Sequence, residues 1–539
     1  MFIPAAVLLI VLPWLNPFAP GPSPAVVPLL FSWVCAAALV GVYGRSNDLS
    51  TNIQLNSGLN SRLASIAAMA WLTAGLVSCA IGIFQYFGGG GGLLPWVSQA
   101  ELGQAFGNLR QRNQFASLTN IALAALVWVV ASGRIATENH RLWTLLCAGL
   151  LAVGNAASSS RTGLVQLLVL CAFCGWCAWL SRGRPRVLGQ QRQVGLVLAV
   201  AVMVYALATV LLPWLAGFDL SLHGLAARLH AGDDACSSRL TLWSNVLDLI
   251  SQKPWLGWGW GELDYAHYAS TYNGPRFCDI LDNAHNLPLH LAVELGVPLA
   301  VLLCGGAAWW LLRQRPWAEA DPARQLAWSV LAIILLHSLL EYPLWYGPFQ
   351  MAVGLCVVML WRRQPATGDE KALYEAPKMP LPQYAYGLLA ILLIAICGYA
   401  AWDYQRISQL YLAPESRSAA YRTDTLAKVR GSWLFASQVQ FAELMTTPLE
   451  PGNAVWTFES AGALLHYSPE PRVIEKRIEA AVLLGRDDDA LKDLAHYRAA
   501  FPADHARWAL PRAKPQVNAA AGVHFTDWVL DFRLRRNDE

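Results

Sequence analysis

Apolar residues along this chain neither alternate nor keep to one helical face; they fill long stretches divided by short polar loops. A helix that crosses a bilayer needs roughly 20 mostly apolar residues. On that template about eleven spans are predicted. They lie near 1–16, 25–44, 62–87, 113–132, 142–157, 161–180, 194–217, 287–312, 325–345, 347–361 and 384–402. One loop, 218–286, is far longer than the others, and after Trp402 the chain turns polar and stays so to Glu539. The pattern predicts an all-α, polytopic membrane bundle over 1–402 and a soluble helical domain over 403–539. In the tail, "EPRVIEKRIEAAVLLGRDDDALKDLAHYRAAFP" (470–502) shows two amphipathic patterns parted by "LGRDD". That is the spacing of a helix-turn-helix of the tetratricopeptide kind, either a plain helical cap or a surface for docking a polypeptide.

Composition agrees with the membrane reading. Only 14% of the 539 residues are charged and 55% are hydrophobic, against about 25% charged in soluble domains. The 24 Trp suit a protein with two membrane interfaces. A net charge of +3 is too weak to suggest nucleic acid as a partner. The N-terminus "MFIPAAVLLIVLPWLNPFAP" lacks a basic region and an A-x-A site, so it reads as a first span rather than a signal peptide.

Orientation follows from basic residues in short loops. "SRGRPRVLGQQRQ" (181–193) has four Arg and no acid, and basic residues recur in "RQRPWAEADPAR" (313–324) and "WRRQPATGDEKALYEAPK" (361–378). These loops are predicted to be cytoplasmic, with the N-terminus. The C-terminal region then faces the periplasm of a bacterium. The opposite face collects "GNLRQRNQ" (107–114), "SSSRTG" (158–163), Arg239, "DNAHNLPLH" (282–290), "EYPLWY" (341–346) and the tail. Arg110, Arg112 and Arg161 sit there against the positive-inside trend, and charges at a membrane edge are functional candidates.

The long loop is rich in Trp, Tyr and Gly ("PWLGWGWGELDYAHYASTY"), unlike a disordered linker, so it is expected to fold over the membrane surface. Cys236 and Cys278 are the two of eleven Cys placed outside, where a disulfide can persist. "CAFCGWC" (171–177) cannot turn three thiols to one helix face, so these read as small buried side chains. "GGGGG" (88–92) lacks the Gly-Lys-Ser/Thr of a phosphate loop and reads as a flexible hinge.

"FGNLRQRNQFASLTNIALAAL", "SSSRTG", "RLTLWSNVLDLISQKPWLGWGWGE", "DNAHNLPLHLAVELGVPLA" and "HSLLEYPLWYGPFQ" together resemble the motifs of one superfamily. It holds the bacterial O-antigen ligases, the O-antigen polymerases and the protein O-oligosaccharyltransferases of the PglL type. The resemblance runs from about residue 100 to 350, and with the soluble tail it is nearest the last group. It implies an inner-membrane bundle related to the metal-independent GT-C class. The implied activity moves a preassembled glycan from undecaprenyl pyrophosphate to a Ser or Thr of a periplasmic protein such as a pilin, with membrane lipids around it.

The resemblance implies roles for residues. Arg161 and Arg239 match its "SRTG" and "R…W" arginines and would clamp the pyrophosphate, since guanidinium forks pair with phosphate oxygens. His285 matches its "HN" histidine and would take the acceptor's hydroxyl proton or orient that hydroxyl. Gln111 and Asn113, flanked by Arg110, would hydrogen-bond sugar or phosphate; Arg112 stands where a proline is expected. Tyr342 and Tyr346 would position the donor, and Glu341 would orient an arginine. Asn286, next to His285, is counted among the substrate-binding residues, and from its own position it reads as the N-cap of a helix starting near Leu287, with Pro288 in the first turn. His290 and His337 read as structural.

The candidate motifs supply arginines rather than a carboxylate cluster. "ELD" (262–264) with Asp233 and Asp234 is a weaker, acidic alternative, so neither metal nor cofactor is called for. Rival functions are an O-antigen ligase acting on lipid A-core, an O-antigen polymerase, and a non-enzymatic lipid-glycan transporter or scaffold. The last should show internal repeats, and none is visible in the sequence.

Overall fold

The computed structural model describes residues 2–46, 56–133, 138–180, 188–218, 236–361 and 383–510. It is helical, with no β-strand among the described residues. Asp233 and Asp234 lie outside them, as do much of the predicted cytoplasmic loops. The chain divides into two compact units, 1–232 with 308–402, and 233–307 with 403–539.

The first unit contains α1 (Phe2–Leu15), α2 (Val26–Ser46), α3 (Asn56–Tyr86), α4 (Arg112–Ala131), α5 (Glu138–Ala157), α6 (Arg161–Leu180) and α7 (Leu188–Leu215). The end of α11 (Val297–Gln314), α12 (Pro322–Ser338), α13 (Gly347–Trp361) and most of α14 (Gln383–Ser408) complete it. A helix here lies on each predicted apolar stretch. Six described helices are long and apolar enough to cross a membrane, and four more are apolar but shorter. α4 is buried on almost every side, as a central helix is, its mainly apolar surface broken by one polar stripe. It packs on α3, α5, α6 and α12. Gly154 of α5 lets the helices close up, because a Cβ there would run into Cys79 of α3. By contrast α7, α11 and α14 leave most of their apolar surface uncovered, which suits lipid rather than water as solvent. The molecule is thus a multi-pass membrane helical protein.

Two local features add to the expectations. The glycine run has local helical form: Gly88 follows α3 at φ 81°, and Gly89–Leu93 winds into a 3-10 turn. The stretch 287–312 is not one helix. It splits into α10 (Leu287–Leu295) and α11 at Gly296, which takes φ 85°. A Cβ at 296 would collide with the Trp255 carbonyl, so glycine is required where "PWLGWG" crosses the end of α10. Trp258 and Gly259 donate their N–H groups to the Val293 and Glu294 carbonyls at 2.8 and 3.0 Å. These bonds satisfy carbonyls that a helix end leaves open.

The second unit has two apolar cores. One joins α8 (Arg239–Gln252), α9 (Leu263–Ala269) and α10 through Leu242, Val246, Leu249, Leu263, Ala266, Phe277, Leu281, Ala284 and Val293. The other fills the tail: α15 (Thr425–Val429), α16 (Ala436–Thr446), α17 (Ala454–Leu465), α18 (Pro471–Leu483), α19 (Asp487–Ala500) and α20 (Pro502–Ala509). Its centre is Ile474, Ile478, Leu464 and Tyr497. "LGRDD" becomes the turn between α18 and α19, with Gly485 at φ 69° just past the helix end. Tyr268 of α9 belongs to the tail's core, and Tyr265 packs against it, its ring stacked on His466 at 3.7 Å. Long loop and tail therefore share one unit.

Candidate functional site

In the first unit, the residues singled out from sequence meet at one end of the bundle. Asn108 sets the approach: its Nδ2 donates to the Leu15 and Trp96 carbonyls at 2.8 and 3.0 Å, and its Oδ1 accepts from Ser98 N. Buried Gln85 holds both Gly107 N and O. Arg110, at φ 59°, donates to the Pro17 carbonyl. Gln111 is the N-cap of α4, its side chain accepting from Gln114 N at 2.6 Å. Asn113 bridges two other helices. Its Oδ1 accepts from Ser160 Oγ at 2.6 Å, and its Nδ2 donates to Glu341 Oε1 at 3.2 Å. Ser160 in turn accepts from Gly163 N at 3.0 Å, which caps α6 and makes Arg161 its first residue. Tyr342 and Tyr346 follow Glu341 with their rings 5.9 Å apart and nearly parallel.

One turn deeper the same three helices are joined again. Ser117 Oγ meets His337 Nδ1 at 2.9 Å. Gln166 donates from Nε2 to Ser117 Oγ at 2.7 Å and to the Ile333 carbonyl at 3.1 Å, while its Oε1 accepts from Asn120. Asn113 and Ser117 are four residues apart on α4, as are His337 and Glu341 on the chain, so each pair faces the other across successive turns. Buried polar groups in such a bundle must find partners in the protein, and this ladder supplies them for Asn113, Ser117 and Gln166, while His337 is held through Nδ1 alone.

The second unit holds the other set. Cys236 and Cys278 form a disulfide, with Cα atoms 5.3 Å apart and Cys278 N bonded to the Cys236 carbonyl. Ser238 caps α8, accepting from Thr241 N at 3.1 Å, so Arg239 is that helix's first residue. Asn286 caps α10, accepting from Leu289 N at 3.2 Å, with Pro288 in the first turn. His285 stands just before that cap at φ 48°, half-buried, with its N–H bonded to Asn283 Oδ1 at 2.8 Å. His290 is buried on α10 and faces Glu294 at 3.5 Å, a structural place.

The electrostatics of this unit are uneven. Burial pushes the Asp264 carboxyl up to about 7, helped by the neighbouring charges of Glu262 and Asp282. Burial brings His267 down to about 3. His267 Nε2 lies 3.1 Å from the Phe277 carbonyl, which only accepts, so Nε2 carries the proton and Nδ1 accepts from Tyr272 OH at 2.7 Å. That neutral histidine is structural. Among the described residues no three His, Cys, Asp or Glu side chains group as metal ligands do.

Arg161 and Arg239 share one local design: each follows a capping serine and opens a helix. The first turn of a helix exposes unpaired N–H groups and the positive end of its dipole, which favour anions. A guanidinium there adds full charge and a fork matched to phosphate. The chemistry on offer is anion stabilisation at both helix starts, with an imidazole at the start of a third helix.

A polytopic helical membrane protein with a cationic helix start in each of its two units is the class so defined. Residues 145–304 match the family described as O-Antigen ligase, 105–129 the family Protein glycosylation ligase, and 325–515 the family Virulence factor membrane-bound polymerase, C-terminal. These matches support a likeness to the O-antigen ligase superfamily, with its protein O-oligosaccharyltransferases among the nearer members. It is similar to the General O-oligosaccharyltransferase of Acinetobacter baylyi, 31% identical over 127 residues, which are 24% of this chain and 22% of the relative. It is also similar to the ComP-specific O-oligosaccharyltransferase of the same organism, 24% identical over 260 residues, 48% of this chain and 44% of the relative. The matched stretches span less than half of either relative's length. No solved structure matches the chain.

Proposed function

We propose that the chain is a protein O-oligosaccharyltransferase that moves a preassembled glycan from undecaprenyl pyrophosphate to a Ser or Thr hydroxyl of a periplasmic or pilin-like protein. In the transfer, the bond from sugar C1 to the phosphate oxygen breaks and a bond from the acceptor oxygen to C1 forms. The diphosphate leaves with the electron pair, and Arg161 and Arg239 stabilise its growing charge. The hydroxyl proton goes to His285, or His285 orients that hydroxyl as the bond forms. Gln111, Arg110, Tyr342 and Tyr346 hold the donor; Asn113 and Glu341 act next to Arg161. Eleven spans, with the helix starts and tail on the periplasmic side of the inner membrane, complete the reading. Transfer needs no metal, and the tail's helical hairpin docks the acceptor polypeptide in the manner of a tetratricopeptide unit.

The observation that carries this reading is the pair of Ser-capped arginine helix starts, Ser160–Arg161 and Ser238–Arg239, in a chain similar to O-oligosaccharyltransferases. The test is co-expression with a pilin and a lipid-linked glycan, read by the intact mass of the pilin. A glycan-sized increase that disappears in His285→Ala is expected. The match of 145–304 to the O-Antigen ligase family favours a second reading, transfer to lipid A-core. Pilin of unchanged mass together with altered lipopolysaccharide would select it.

A further inference from the structure

His285 occupies a backbone conformation that histidine seldom adopts without support. Its φ of 48° is in the left-handed region, where a β-carbon crowds the following carbonyl. The peptide linking Ala284 to His285 is gripped from both sides. Its N–H donates to Asn283 Oδ1 at 2.8 Å. Its carbonyl, on Ala284, accepts from Trp243 Nε1 at 3.1 Å. Asn283 and Ala284 are buried and Trp243 and His285 half-buried, so both bonds are partly screened from water. On the other side, Asn286 is locked as the cap of α10. Trp243 lies one turn along α8 from Arg239, and its ring packs on the core that joins α8 to α10. Asn245 of the same helix holds the next stretch of chain, bonding Phe277 N at 2.8 Å and the Pro275 carbonyl at 2.9 Å.

We infer that Trp243 and Asn283 are positioning residues that aim the His285 imidazole, so that the helix carrying Arg239 also fixes the direction of His285. This deepens the function proposed above and rests on the reading of His285 as the group that meets the acceptor hydroxyl. The physical argument is that φ and ψ of residue 285 set the Cα–Cβ direction. Rotating either neighbouring peptide swings the ring by its full length. An indole N–H across 41 residues of sequence is an uncommon way to satisfy one carbonyl that water would satisfy at an exposed turn. The bond from Trp243 fixes the peptide plane instead.

Trp243→Phe keeps an aromatic ring in the core and removes only the N–H donor. In reconstituted membranes with a lipid-linked donor, this variant is expected to lower kcat about tenfold or more, because small misplacements of a reacting group are costly. The KM for donor should stay within about twofold, since donor binding is assigned to other residues. The variant is then placed in a His285→Ala background. If Trp243 acts through His285, the second substitution lowers the remaining turnover no further. The same fold-loss in both backgrounds, or full kcat for Trp243→Phe alone, overturns the inference. Should Trp243→Phe fail to fold, Asn283 decides: Asn283→Asp keeps an acceptor oxygen and should retain more kcat than Asn283→Leu, and equal loss in the two overturns the inference. Wild-type turnover in His285→Ala overturns the underlying reading instead, which keeps the two failures apart.

Discussion

The two arginine helix starts are built alike and held differently. Ser160 and Ser238 each accept the N–H three residues on, and Arg161 and Arg239 each open the helix. Behind Arg161 stands a ladder of amide, hydroxyl, carboxyl and imidazole groups, Asn113, Glu341, Ser117, Gln166 and His337, shared by α4, α6 and α12. Behind Arg239 stand a disulfide and an apolar core. Inside a membrane bundle apolar contacts distinguish poorly between protein and lipid, so register is set by small residues and polar pairs. The second unit instead gathers Leu242, Val246 and Leu249 into an apolar core, and a covalent link limits its unfolded states.

That contrast can be broken at several points. Replacing Cys236 and Cys278 by Ser should cost about 3 to 4 kcal/mol by the loop-entropy argument. Hydrogen exchange would then rise over 239–252 and stay unchanged over 112–131. Asn113→Leu removes the link between Ser160 and Glu341 and leaves a buried hydroxyl and carboxylate short of a partner. A loss of about 1 to 3 kcal/mol is expected, with faster exchange at the start of α6 and none at α8. Ser238→Ala should cost about 1 kcal/mol, the usual worth of a serine cap. Ser160→Ala should cost more, because Asn113 loses a partner as well. A thermal-melt series in both variants checks the ranking.

A further effect is on pH dependence. Asp264 normally titrates near 3.8 and in the folded unit near 7. Between those values the folded chain keeps a proton that the unfolded chain has released. The contribution of Asp264 to stability is therefore full below about 4, falls as pH rises towards 7, and is level above. Asp264→Asn should flatten that fall in melting temperature between acidic and neutral pH. A fall that persists unchanged in the variant assigns it to other groups.

Much of this was written locally in the chain. Apolar runs marked where helices lie, and "LGRDD" marked the turn after α18, because glycine past a helix end is a backbone requirement. Asn286 before Pro288 was legible as a helix start because its side-chain oxygen can accept a first-turn N–H; Ser-Arg at 160–161 and 238–239 carried the same signal, unused in the sequence reading. The stripe of Asn113, Ser117 and Asn120 at positions 0, +4 and +7 was also present, a signal for the ladder that the apolar pattern around it hid. The break at Gly296 escaped because apolar residues flank it on both sides; its cause is the approach of Trp255, which local pattern does not encode. Trp243 escaped for the same reason, since its partner carbonyl lies 41 residues away.

The central claim is that Arg161 and Arg239 stabilise a leaving diphosphate. Its most direct test is turnover of Arg161→Gly and Arg239→Gly in proteoliposomes containing a diphosphate-linked glycan, with and without added guanidinium ion. The account predicts a loss of about a hundredfold or more in each, the usual cost of removing one transition-state donor, with partial rescue by guanidinium and none by sodium at equal ionic strength. Wild-type turnover in either variant would contradict it.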